Sequence, residues 1–380
     1  MCEKLISIRN KFIKIIYKGI CRPIFFRIDP EAIHDTMIKR GKFLGNYSLT
    51  KKITGFFFSY KNKKLQQTIA GVTFPNPIGL AAGFDKNAEL TQILPHVCFG
   101  HVEVGSITGE SCFGNPKPRL WRLPKSQSLI VYYGLKNKGA EIIAKELELL
   151  KQKEKRLVPL GISIAKTNCK ETAETSAAIA DYCKAYSLLE PLSDYITINI
   201  SCPNAYGGQP FTNVHDLDKL LKEIAKIKTR NDMPTFLKLS PDLADEELDK
   251  IIEVSRKYKI TGFICSNLTK SRDNQKIIEK NIQTAGGLSG KIVQDLADKQ
   301  ISYIYKKTGK EFVIIGCGGV FTAEDAYRKI KLGASLIHLI TGMIYEGPQS
   351  ISEINQGLVR LLEKDGLNNI SEAIGKEISY

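Results

Sequence analysis

The chain has 380 residues, with 55 Lys and Arg against 40 Asp and Glu for a formal net charge of +15, and is 43% hydrophobic and 25% charged. Those proportions exclude disorder, collagen and coiled coil, and the length suits one large α/β barrel with an appendage. No apolar run approaches the roughly 18 residues needed to span a bilayer. Nine scattered cysteines with no C-x-x-C pair point to a reducing compartment and away from a structural metal site.

The charge is concentrated at the start. Residues 1–70 carry 15 Lys and Arg against four acids, so +11 of the +15 lies in the first fifth of the chain. Lys11, Lys14 and Lys18 recur at i, i+3 and i+7, with Ile13, Ile15 and Ile16 between them, which predicts a basic amphipathic helix lying on an anionic membrane surface. Asp29-Pro30-Glu31 then reads as a helix start, with Asp as the cap, Pro in the first turn and Glu at the positive end. Ala32, Ile33, Met37, Ile38 and Leu44 mark the apolar face of a second helix, so residues 1–45 are expected to form a two-helix, membrane-associating hairpin. The plainer alternative is a basic helix packed on its own barrel. A secretory signal fits poorly because lysines interrupt the apolar stretch, and a mitochondrial presequence is poorly matched in serine. Nucleic acid is not an expected partner, since phosphate contact does not require so many apolar residues.

From residue 76 the chain repeats a short β-branched run, a polar loop and an amphipathic stretch. The runs are Pro77–Ala82, His101–Ser106, Pro159–Ile164, Tyr195–Ile200, Thr235–Leu239, Gly262–Ser266, Phe312–Gly316 and Leu336–Thr341. Eight such units predict a (β/α)8 TIM barrel over residues 46–380, with a doubly wound sheet as the competitor.

Chemistry in such barrels collects at the C-terminal strand ends. Gly318-Gly319 and Thr341-Gly342, after the last two runs, let backbone N–H groups approach a phosphate, and Gly286–Gly290 adds a third glycine-rich loop. Each is an ordinary tight turn when taken singly; together they point to a phosphorylated cofactor. At the end of the fourth run, Asn199 and Asn204 flank Cys202, and Lys86 and Lys238 come from the first and fifth. Asparagines suit a planar, amide-rich ligand, and lysines in a barrel mouth call for an anion. A buried cysteine is most often a small hydrophobe, the reading given to Cys183 and Cys265. Cys202, between polar neighbours at a strand end, is the candidate for chemistry.

The stretches Asn76–Lys86, Pro116–Pro124, Asn199–Asn204 and Gly286–Gly290 together resemble the dihydroorotate dehydrogenases, FMN-dependent barrel enzymes of pyrimidine synthesis, and the resemblance runs over essentially the whole chain. Phe25–Asp35 is similar to the membrane-associated, quinone-linked class, in which a helical hairpin forms the quinone tunnel. The resemblance implies that FMN is held by Ala82, Gly83, Lys86, Ser106, Ser163, Asn199, Lys238, Ser266, Gly290, Gly319 and Thr341. It implies that Lys86, Asn199, Asn204 and Asn267 bind dihydroorotate and its product orotate, that Cys202 is the base at C5, and that His34 and Arg122 line the tunnel. Peripheral attachment to the cytoplasmic side of the cell membrane follows as an expectation. The chain departs from the family pattern in several places. Cys202 stands where the quinone-linked class has serine. Val131-Tyr132-Tyr133-Gly134-Leu135 stands where the family reads Asn-Arg-x-Gly-Phe, Ser163 replaces a flavin-contacting Asn, Leu268 a polar residue beside the substrate, and Ile340 a tunnel Tyr. These departures keep open a flavin oxidoreductase with another dihydropyrimidine-like substrate. A tRNA dihydrouridine synthase-like enzyme is the third reading, against which the clustering of charge on an apolar hairpin argues.

Overall fold

The computed structural model describes residues 3–378; Cys2 lies outside them. Eight parallel strands close into a barrel in sequence order: β1 (Ile78–Leu80), β2 (His101–Ile107), β3 (Leu160–Ile164), β4 (Tyr195–Asn199), β5 (Thr235–Lys238), β6 (Gly262–Cys265), β7 (Val313–Cys317) and β8 (Leu336–Leu339). Nearly every strand residue is buried, as expected where helices cover one face and the barrel interior the other. All eight runs expected from the sequence are strands, with ends moved by a few residues. The first is the shortest because the backbone turns over the rim beyond Ala81, where Gly83 takes φ +115°, and the Gly83 amide donates to the Gly105 carbonyl at 2.7 Å.

A hairpin (Gln67–Ile69 with Val72–Phe74) plugs the base, and Phe74 packs with Tyr195, Phe236, Ile264, Ile315 and Leu336 inside the barrel. The layer above is polar. His101 and His338 lie with ring centroids 5.0 Å apart, and Thr197 donates to Glu103 at 2.7 Å, all four residues fully buried. At the opposite end, an antiparallel sheet of Leu120–Leu123, Ser128–Val131 and Gly287–Leu288 roofs the mouth.

The N-terminal part is helical. α1 (Glu3–Ile16) runs through one π-helical turn, Tyr17–Cys21, into α2 (Arg22–Arg27). The wider turn falls just ahead of Pro23, which has no N–H to continue the α-helical ladder. The chain reverses at Ile28, and the Asp29 carboxylate caps α3 (Pro30–Gly45) by accepting from the Ala32 amide at 2.9 Å, as its sequence predicts. A further helix, α4 (Ser48–Phe58), extends the helical segment past residue 45.

The basic stripe of α1 does not all face outward. Lys14 pairs with Glu353 at 3.0 Å and Lys18 with Glu346 at 2.6 Å, on helices that follow β8. Arg9 donates to the Phe56 and Ser59 carbonyls, tying α1 to the end of α4. The apolar residues Leu5, Ile8, Phe12 and Ile15 of α1, and Leu49, Ile53 and Phe56 of α4, remain exposed, with Ile8, Phe12, Leu49 and Phe56 each more than 60% accessible. No helix among the described residues is long and apolar enough to cross a membrane.

α3 is fastened to the roof by a buried ion pair. Arg119 donates to both oxygens of Glu31, the shortest contact being 2.8 Å, and also to the Phe113 and Asn115 carbonyls. The guanidinium beside it, with Lys117 and Lys136 nearby, holds the Glu31 carboxyl below its ordinary range despite burial. Removing one partner of such a pair strands the other's charge. Glu31→Ala is therefore expected to lower stability by about 3 kcal/mol in urea denaturation, with Glu31→Gln, which keeps an acceptor for Arg119, losing less.

Candidate active site

The strand ends converge on one cavity beneath the roof sheet, which α3 borders through His34. Thirteen of the candidates named from sequence line it besides His34: Ala82, Gly83, Lys86, Ser106, Asn199, Cys202, Asn204, Lys238, Ser266, Asn267, Gly290, Gly319 and Thr341. Two do not. Ser163 is fully buried behind Ser106, the two hydroxyls 2.8 Å apart. Arg122 lies outside the cavity, stacked 4.8 Å from the Phe26 ring centroid and donating to the Ile28 carbonyl at 2.8 Å.

The polar groups at the rim divide into two kinds. Some bind each other. Asn199 donates to Ser106 at 2.8 Å and accepts from Asn267 at 3.2 Å; Asn267 donates to the Ser201 carbonyl at 3.0 Å; Ser201 donates to the Lys238 carbonyl at 2.7 Å. With the Ser106–Ser163 bond from β3, this chain links the ends of five adjacent strands, β2 to β6. Others are left facing the cavity. Asn204 spends its amide N–H on the Val131 carbonyl at 2.8 Å, which fixes the carboxamide and leaves its Oδ1 buried with no partner.

Lys86 is the sharpest case. Its ammonium lies 3.9 Å from the Tyr133 ring centroid and 3.3 Å from His34 Nε2. That nitrogen also lies 2.8 Å from the Phe84 carbonyl, to which it must donate a proton, so it offers Lys86 no lone pair. Desolvation, with repulsion from Lys136, pulls Lys86 down to about 7. A cation so placed favours an anionic ligand, which would restore its charge. The turn that carries it is set by Asp85, whose buried carboxylate accepts from the Glu89 and Leu90 amides. Lys238, buried in the floor, makes no hydrogen bond or ion pair through its ammonium among the described residues.

Cys202 sits half-buried on the loop after β4. Lys166 clamps that loop by donating to the Tyr206 carbonyl at 2.6 Å and the Thr172 carbonyl at 3.1 Å. Burial pushes the thiol up, while the Asn204 amide and the Lys238 and Lys166 charges pull it back. On the far side, Gly319 takes φ +71° and leaves no room for a Cβ, which would lie 2.3 Å from that of Gln294; Ser289 and Thr341 hydroxyls meet at 3.0 Å. The structure adds Tyr133, Lys136, Ser289 and His338 to the lining. Only their position relative to the roof and barrel interior reveals them. Val131 and Leu268 also line the cavity, presenting hydrocarbon where the neighbouring wall is polar.

A family model described as dihydroorotate dehydrogenase matches residues 64–362. Among curated proteins, a dihydroorotate dehydrogenase (quinone) of Trichodesmium erythraeum is 35% identical over 95% of this chain and 98% of its own length. One from Crocosphaera subtropica is 40% identical over 85% of this chain and 86% of its own. Among solved structures, ligand-free dihydroorotate dehydrogenase of Eimeria tenella superposes with a TM-score of 0.81 at 30% identity, covering 93% of this chain and all of that one.

Because the folded environment raises the Cys202 thiol, the reactive thiolate accumulates only above the ordinary thiol range. Alkylation of Cys202 by iodoacetamide, followed by peptide mass spectrometry, is expected to show its inflection at higher pH than a free thiol. An inflection near neutrality would show that the lysines outweigh burial.

Proposed function

The chain belongs to the dihydroorotate dehydrogenase family and oxidises dihydroorotate to orotate in pyrimidine biosynthesis, with quinone as electron acceptor; we propose that it does so on an FMN seated across the barrel mouth, with Cys202 as the base. The observation that carries this reading is the pair of ammonium groups, half-buried Lys86 and buried Lys238, which line one cavity with no acid in contact among the described residues. The residues present fit the cofactor. The Gly318-Gly319 turn brings backbone close to a phosphate without a Cβ in the way, with Thr341 and Ser289 hydroxyls beside it. The Lys238 ammonium lies in the floor where a flavin ring would lie.

FMN, when bound, supplies the acceptor for the C6 hydride and the relay of electrons to quinone. The rest is the work of this chain. Lys86 holds the substrate carboxylate by charge. Asn204, oriented by the Val131 carbonyl, accepts from a ring N–H through its free Oδ1. Asn199 and Asn267 fix the strand ends against the ring and present the remaining amide surface. Cys202 takes the C5 proton, and its raised affinity for protons suits that role once the thiolate is formed next to Lys238 and Lys166. Val131 and Leu268 give no hydrogen bond, so ring recognition rests on fewer polar contacts.

The tunnel reading places quinone between α2, α3 and the mouth, entering past His34, with Arg122 and Phe26 at its outer edge. The exposed apolar residues of α1 and α4 support attachment to the cytoplasmic face of the cell membrane from one side, without a crossing.

Two experiments test these assignments. Cys202→Ala is expected to slow reduction of bound flavin by dihydroorotate by roughly 10²–10⁴-fold in anaerobic stopped flow while the protein stays yellow; near-normal reduction removes Cys202 from the base role. The combined variant Ile8→Glu, Phe12→Glu, Phe56→Glu changes exposed positions only. It is expected to weaken flotation with anionic vesicles by roughly a hundredfold or more and to depress quinone turnover, leaving flavin reduction by dihydroorotate unchanged.

A further inference from the structure

The loop after β4 carries Cys202 and Asn204, and two asparagines outside the cavity fasten that loop to its surroundings. Asn115 lies ahead of the roof strand Leu120–Leu123, and Asn168 lies beyond β3. Asn168 Oδ1 accepts from the Tyr206 amide at 2.6 Å, while its Nδ2 donates to Asn115 Oδ1 at 3.0 Å and to the Gly134 carbonyl at 3.1 Å. Asn115 Nδ2 in turn donates to the Tyr132 carbonyl at 3.1 Å and to the Asn204 carbonyl at 3.2 Å. Each carboxamide thus spends both of its N–H groups and its oxygen, and a flip of either would set donor against donor.

The pair is itself held in place. The Asn115 amide donates to the Tyr133 carbonyl at 3.0 Å, and the Asn115 carbonyl accepts at 2.8 Å from Arg119, the residue that pairs with Glu31. Gly134 takes φ +66°, and a Cβ there would lie 2.5 Å from Asn115 Cγ and 2.7 Å from Asn168 Nδ2, so the roof closes directly onto both side chains. Past Tyr206 the loop turns through Gly207 and Gly208, at φ +74° and +75°, a conformation that costs residues with a Cβ. The stretch from Cys202 to Tyr206 therefore runs between the bonded strand end at Ser201 and a glycine turn, and its set against the roof is given by side chains from elsewhere in the chain.

We propose that Asn115 and Asn168 are positioning residues for the reaction: together they join the loop after β4 to the roof, so that Cys202 and Asn204 meet the substrate ring in one fixed arrangement. Neither side chain lines the cavity, so the pair acts through the loop backbone, without contact with substrate or cofactor. The proposal rests on the reading of Cys202 as the base. A base held within hydrogen-bond reach of its proton loses rate when the segment that carries it can move away.

In the FMN-bound protein, Asn168→Ala removes the tie to Tyr206 and Asn115→Ala removes the tie to Asn204. Each is expected to lower the limiting rate of flavin reduction at saturating dihydroorotate by roughly tenfold in anaerobic stopped flow, with the protein still yellow. Alkylation of Cys202 by iodoacetamide at one alkaline pH, read by peptide mass spectrometry, is expected to be roughly fivefold faster in each variant. Cys98 and Cys265, buried in the core, are expected to react no faster than in the unaltered protein. Because the two asparagines form one junction, the double variant is expected to reduce flavin at a rate within about threefold of either single variant. Unchanged reduction, unchanged Cys202 alkylation or multiplied effects in the double variant each overturn the proposal. Faster alkylation of Cys98 and Cys265 alongside Cys202 also overturns it, since the pair would then support the fold at large. Should Asn115→Ala fail to fold, Asn168→Ala, at a half-buried position outside the roof sheet, carries the reduction and alkylation readouts alone. Failure of the base reading is separately visible, since Cys202→Ala would then reduce flavin at a near-normal rate.

Discussion

The mouth of the barrel depends on one chain of side-chain hydrogen bonds, running from Ser163 through Ser106, Asn199, Asn267 and Ser201 to the Lys238 carbonyl. Its members come from five strands or the residues just beyond them, Asn199 and Ser201 both from β4, so five strand ends are set relative to one another. Buried polar groups are tolerable only when they are satisfied, and a satisfied network fixes geometry more sharply than apolar packing does. The groups left over are the ones available to a ligand. Asn204 Oδ1 is buried without a partner, and the Lys86 and Lys238 ammonium groups line the same cavity with no acid in contact among the described residues. The division between groups that build the rim and groups that face inward is thus visible in the bonding itself.

The helical appendage is attached by charge and exposed by hydrophobicity. Its inner side carries the Glu31–Arg119 pair, the Lys14 and Lys18 pairs with Glu353 and Glu346, and Arg9 hydrogen bonds to the end of α4. Its outer side carries large aliphatic and aromatic residues that no described part of the chain covers. Such an arrangement inverts the usual surface pattern. It keeps the helices oriented on the barrel while leaving their apolar side uncovered, and it places His34 of α3 at the edge of the cavity.

Much of this was legible in the sequence, and the reasons for the rest are physical. The eight β-branched runs were recognisable because strands buried on both faces read as continuous apolar stretches. The Asp29 cap was recognisable because Asp-Pro-Glu is a local signal that needs no tertiary context. The direction of Lys14 and Lys18 was not, because periodicity gives a stripe and not the partner it faces; Glu346 and Glu353 lie more than 300 residues away. α4 was absorbed into the barrel segment, since Leu49, Ile53, Phe56 and Phe57 are exposed in the fold although they resemble a core face in sequence. Ser163 matched a strand end but points behind Ser106, because one residue of register decides which side of a strand end meets the cavity. Tyr133 and Lys136 could not be singled out from spacing, as they follow the roof strand, which tertiary pairing with Gly287 and the Asn204 bond to Val131 bring over the cavity.

The carboxamide of Asn204 is anchored on a backbone carbonyl, that of Val131, and not on a side chain. Every amino acid at position 131 offers the same carbonyl, so the orientation of Asn204 is insulated from drift at that site. A lineage could exchange the side chain there, altering what the roof presents to the cavity, and still keep the Asn204 carboxamide in place. The roof sheet therefore separates heritable geometry from adjustable chemistry, and position 131 is a place where the cavity lining can change without disturbing the amide that the backbone holds.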